Sequence, residues 1–95
     1  MVTTSFKYPH ILQVKDLQGE WINFSECEDQ PNDKGKMVNV GDGTQYQFAS
    51  LIFLPLIEPL LTGQDLRVVD TDGLVRLDTE VKRFSSEHQH CRLWV

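Results

Sequence analysis

Three turn signals divide this chain into paired apolar runs, and that punctuation limits the possible folds more than any single motif does. Asp16-Leu17-Gln18-Gly19, Gly41-Asp42-Gly43 and Asp70-Thr71-Asp72-Gly73 each stand between segments of aliphatic, β-branched and aromatic residues. A tight turn between two such segments reads as a β-hairpin.

In the first hairpin Ile11-Leu12-Gln13-Val14 and Trp21-Ile22-Asn23-Phe24 flank the turn. The second can be set in register from its faces. A two-residue Asp42-Gly43 loop would place Val40 opposite Gln45 and Val38 opposite Gln47, mixing apolar and polar residues on one face. A three-residue loop pairs Val38 with Tyr46, Asn39 with Gln45 and Val40 with Thr44, and it puts Gly43 where a left-handed backbone is needed. In the third hairpin a two-residue Asp72-Gly73 loop pairs Val68 with Leu77 and Arg67 with Asp78, so that Leu66, Val68, Val75 and Leu77 share the inner face. A last strand from His88 to Val95 alternates Cys91, Leu93 and Val95 inward with His88, His90, Arg92 and Trp94 outward. Between the first two hairpins, Glu26 to Gly35 carries Pro, Asn, Asp and Gly without apolar periodicity and reads as a polar surface loop.

One stretch does not read as a strand. From Ser50 to Gly63, Pro55, Glu58, Pro59 and Thr62 fall at i, i+3, i+4 and i+7, one face of a helix whose remaining residues are apolar. Ser50 can cap its start and Gly63 its end, and Pro59 bends it. The expected fold is therefore α+β: mainly antiparallel β, about seven short strands in a curved sheet or partly open barrel, with one short kinked helix near residues 50–62. Residues 1–9 form a flexible lead-in ending at Pro9, and residues 10–95 form a single globular domain, because 95 residues cannot support two cores.

The start of the chain lacks a charged region feeding an apolar one, and its longest apolar run, broken by Pro55, Glu58 and Pro59, is too short to cross a bilayer. A soluble, cytoplasmic protein is expected, with Cys27 and Cys91 as reduced thiols. The net charge of −5 opposes attachment to a nucleic-acid backbone or to anionic lipid.

All four arginines, Arg67, Arg76, Arg83 and Arg92, lie in the last third, while four of the five lysines precede residue 40. On the strand faces above, Arg67, Arg76, His88, His90, Arg92 and Trp94 lie opposite the core. Guanidinium forks bind carboxylate or phosphate, and a Trp ring stacks on a flat ligand, so this face is the candidate ligand-binding site for a small anion such as a nucleotide. The bland alternative is an ordinary solvated strand face.

His88-x-His90 could supply two legs of a metal site, but no CxxC or second HxH adds further ligands. Asp70-Thr71-Asp72-Gly73 shares part of a calcium loop but lacks the rest of that pattern. Glycine-rich phosphate loops, nucleophile elbows and zincin motifs are all missing from the sequence. A thiol such as Cys91 beside His88 is the one nucleophile candidate. No catalytic residue, metal ligand set or cofactor is assigned.

The wide apolar arc of the expected helix, Leu51, Ile52, Phe53, Leu54, Leu56, Ile57, Leu60 and Leu61, is the candidate interface. The leading functional expectation is a small non-enzymatic protein-interaction or regulatory module, a homodimer or accessory subunit. The alternatives are the small-anion binder and, third, a metal-dependent or thiol enzyme around His88, His90 and Cys91.

Overall fold

The computed structural model describes residues 7–39, 43 and 45–95. Among these the chain forms nine strands: β1 (His10–Lys15), β2 (Trp21–Pro31), β3 (Met37–Asn39), β4 (Gln45–Gln47), β5 (Ser50–Leu54), β6 (Asp65–Val69), β7 (Val75–Glu80), β8 (Arg83–Ser86) and β9 (Cys91–Trp94). Seven make one antiparallel sheet in the order β7-β6-β1-β2-β5-β9-β8, and β3 and β4 make a separate two-stranded hairpin.

The expected helix is absent from the described residues, and α+β gives way to all-β. Residues 50–54 are a central strand with alternating burial, Ser50, Ile52 and Leu54 buried and Leu51 and Phe53 half-buried. Pro55 then lacks the amide that would carry the ladder on, so β5 ends at Leu54. An irregular segment follows, packing Ile57 and Leu60 against the core and leaving Leu56 and Leu61 exposed. A strand covered on both faces shows the same unbroken apolar run as a buried helix, which is why the helical reading fits the sequence and fails in the structure.

β2 is the hinge of the architecture. Its first part pairs with β1 and its last four residues, Glu28 to Pro31, pair with β5. The expected surface loop therefore begins only after Pro31. The edge strands β7 and β8 stand at opposite ends of the strand order, yet only Val81 and Lys82 separate them in the chain. Two residues cannot cross a flat seven-stranded sheet, so the sheet curls into a half-barrel. At the junction Val81 N donates to Gln64 O, Gly63 N to Val81 O and Lys82 N to Trp94 O.

The concave side holds the core: Leu12 and Val14 of β1, Ile52 and Leu54 of β5, Leu66 and Val68 of β6, Cys91 and Leu93 of β9, with Val81 and Val95. A second, smaller cluster lies on the convex side, where Val38 of β3 and Phe48, just past β4, cover Trp94 and Leu51.

The hairpin registers bear comparison with the sequence. Val38 pairs with Tyr46 and Asn39 with Gln45 as expected, and Gly43 has φ 89°. The expected Val40–Thr44 pair and the Gly41-Asp42 turn fall outside the described residues. Val68 pairs with Leu77 and Arg67 with Asp78, also as expected. The loop before them differs: Gly73 N donates to Asp70 O and Asp70 N to Leu74 O, so three residues turn the chain. Val69 then pairs with Val75, and Arg76 is the extra residue of a bulge. One added residue reverses the facing of all that precedes it, so Val75 lies outside rather than beside Leu66 and Val68. The final strand begins at Cys91 rather than His88, because His88, Gln89 and His90 form the turn joining β8 to β9. Tyr8, within the expected lead-in, is buried.

No helix among the described residues is long and apolar enough to cross a membrane. Both cysteines are free and buried. Leu54 pairs with Cys91, and continuing the β2–β5 register one step beyond Glu28–Phe53 sets Cys27 on the other side of Leu54. Two strand spacings, roughly 9–10 Å, separate the thiols, more than the ~7 Å between Cα atoms that a disulfide tolerates. Denatured without reductant, the protein is expected to show two titratable thiols; finding none would contradict this register.

Candidate functional site

On the convex side of β2, β5, β9 and β8, two rows of side chains cross the strands. The ladder sets Glu28, Phe53, Arg92 and Ser85 in one row and Gln30, Leu51, Trp94 and Arg83 in the next. The β3–β4 hairpin covers the second row, leaving Trp94 only 9% exposed. The guanidinium groups of Arg83 and Arg92 flank the indole at 5.3 and 5.1 Å from its centroid.

The first row stays open. A cleft of about 270 Å³ lies over it, lined by Lys7, Tyr8, Glu28, Gln30, Phe53 and His90. The Phe53 and His90 rings stand 6.2 Å apart at an interplanar angle of 46°. Gln30 Nε2 donates to Glu28 Oε1 at 3.0 Å. Beside the cleft, Arg92 Nε donates to Glu87 Oε1 at 3.0 Å, and Ser85 Oγ donates to the same oxygen. These two hydrogen bonds, Arg92 first, hold the Glu87 carboxyl below its ordinary range.

Of the six residues read as a ligand face, the structure brings three together: His90, Arg92 and Trp94. His88 is exposed in the neighbouring turn. Arg67 lies four strand positions from β9, on β6. There its Nε donates to Gln13 Oε1 at 2.7 Å and its guanidinium stacks 4.5 Å from the Trp21 centroid. Arg76 is drawn away by the bulge to Asp29 on β2, with Nε donating to Oδ1 at 2.8 Å and Nη2 to Oδ2 at 3.4 Å. Of the residues read as an interface, Ile52, Leu54 and Leu60 belong to the core, Leu51, Phe53 and Ile57 are half-buried, and Leu56 and Leu61 are exposed.

Arg76 and Asp29 belong to a polar group that the sequence did not announce. Cys27 pairs with His10, and Asp29 follows Cys27 on the same inward face. The Asp29 side chain is 5% exposed and takes both prongs of Arg76, which keeps 38% of its own exposure. His10 Nδ1 lies 3.0 Å from Asp29 Oδ1 but off hydrogen-bond geometry, so that nitrogen is buried without a hydrogen bond. The carboxylate hydrogen bond raises Arg76 above its ordinary value. Burial, reinforced by the Asp29 charge, pushes the Cys27 thiol up to about 12.

That environment holds Cys27 as a thiol at neutral pH, whereas a thiol nucleophile needs a depressed value. Cys91 faces the core, its Sγ 3.9 Å from Ser86 Oγ, while His88 faces solvent. Among the described residues no three of His, Cys, Asp and Glu come together as a metal site.

The sequence reading missed Lys7, Tyr8, Glu28, Gln30 and Phe53 as cleft residues. The signal available was the alternation of Glu26, Glu28 and Gln30 with Cys27 and Asp29, the period of a strand rather than of a loop.

Comparison with known protein families, with curated proteins and with solved structures finds no match.

Proposed function

We propose that this chain is a non-enzymatic protein-interaction module of the cytoplasm that acts as a homodimer. The observation carrying the proposal is the bulge at Arg76. By turning Val75 outward it ends an apolar row on the convex side, in which Val69 is buried, Ile11 half-buried and Val75 exposed. Val75 is 50% exposed, and the adjoining Leu74 66%. Apolar residues gathered at one place on a polar surface are the usual core of an interface.

The arginines support this reading over the small-anion alternative, since Arg67, Arg76 and Arg92 already engage Gln13, Asp29 and Glu87. Two free thiols fit a reducing compartment. The helix that first suggested self-association is gone, and the interface moves from residues 51–61 to the β6–β7 edge.

Light scattering at micromolar concentration is expected to give twice the chain mass. The double variant Leu74→Asp, Val75→Asp should give the monomer, and Leu17→Asp, at an exposed turn far along the chain, should leave the dimer intact. A monomeric wild-type protein would overturn the proposal.

A further inference from the structure

The open cleft on β2, β5 and the β8–β9 turn lies apart from the Leu74–Val75 row and combines two kinds of group. Phe53 rises from the interior strand β5 to line it, the largely buried Tyr8 ring lines it as well, and the His90 ring stands 6.2 Å from that of Phe53. Among the described residues the one carboxylate lining it is Glu28, the ladder partner of Phe53, and the Gln30 amide donates to that carboxylate at 3.0 Å. Aromatic faces carry negative potential, and with a carboxylate beside them they attract cations that need no hydrogen-bond acceptor of their own.

One cation of the chain already shows that attraction. Lys7 Nζ sits over the Tyr8 ring, 5.4 Å from its centroid. The net charge of −5 adds a general pull on positive ligands. An anion would lie beside Glu28 with Lys7 alone to offset that charge, since the nearest guanidinium, Arg92, is held by Glu87. The volume of about 270 Å³ admits a group the size of a quaternary ammonium.

We infer that this cleft binds a small alkylammonium group, quaternary or methylated, against the rings of Tyr8 and Phe53 and the Glu28 carboxylate. Lys7 is an internal competitor at its rim. This goes beyond the interaction reading and does not depend on it, since it uses a different part of the surface.

The two charges at the cleft give a test with opposite signs. Tetramethylammonium chloride titrated into the full chain by calorimetry, against sodium chloride at equal ionic strength, is expected to bind saturably. Glu28→Gln should weaken that binding about fivefold and Lys7→Gln should tighten it, because a ring–cation contact and a flanking charge each change affinity by a factor of this order. Phe53→Ala should weaken it further, but that change touches a central strand, so the two charge variants decide the matter. Heat that matches sodium chloride would overturn the inference, as would tetramethylammonium binding indifferent to both charge variants. Saturable binding of acetate or phosphate that Lys7→Gln weakens and Glu28→Gln strengthens would also overturn it and assign the cleft to an anion. None of these outcomes depends on the oligomeric state, so failure here and failure of the dimer are separable.

Discussion

Arg76→Ala is expected to lower the unfolding free energy by about 2–3 kcal/mol, and the loss should shrink when Asp29→Asn is added to it. Removing the guanidinium leaves a carboxylate 5% exposed with only the His10 imidazole, 3.0 Å away and off hydrogen-bond geometry, beside it. For fully buried pairs such a loss runs to about 3–5 kcal/mol, and the lower figure reflects the solvent that still reaches Arg76. Asparagine in place of Asp29 removes the stranded charge, so the double variant should be more stable than Arg76→Ala alone. Urea unfolding of the four proteins measures the coupling. Strictly additive losses would mean that the two residues do not act as a pair.

The second large effect is alkaline. Cys27 sits at about 12 in the folded chain against an ordinary 9.0. Between those values the unfolded thiol gives up its proton while the folded one keeps it, so the folded state binds more protons and loses stability as pH rises. The contribution is intact below pH 9 and is lost progressively toward pH 12, at up to about 1.4 kcal/mol per pH unit and about 4 kcal/mol in all. Other groups titrate in that range, so the informative quantity is a difference: Cys27→Ala should flatten the decline of stability between pH 9 and 11 relative to wild type. Parallel curves would show that burial does not hold the thiol protonated.

The hairpin pairs were legible because turns and period-two patterns are local. Val38 finds Tyr46 and Val68 finds Leu77 by counting outward from a glycine. Even there the count for the third hairpin was right only beyond the bulge, because three turn residues and an inserted Arg76 restore the register that two turn residues would have given. Residues 50–54 could not be read so easily. Whether Leu51 and Phe53 are covered depends on a separate hairpin and on Tyr8, which no local pattern places over them. The same holds for the candidate sites. The inward turn of Asp29 is stabilised by Arg76, a residue 47 positions away. The outward face of β9 was assigned correctly, with Arg92 and Trp94 opposite Cys91 and Leu93, but the partners that neutralise or cover those side chains are contributed by the Glu87 turn and the β3–β4 hairpin.

The position of β9 between β5 and β8 has a consequence for how the molecule comes into being. Synthesis delivers β5 long before β9, so during elongation Ser50–Leu54 can pair with β2 on one side while its other edge stays bare. That edge carries Leu51, Ile52, Phe53 and Leu54, an apolar strand of the kind that recruits other chains. A nascent chain halted between Leu54 and Cys91 therefore exposes a sticky template, and the five residues from Cys91 to Val95 are what retire it. Chains truncated between Leu54 and Cys91 should accordingly aggregate rather than fold as a smaller domain.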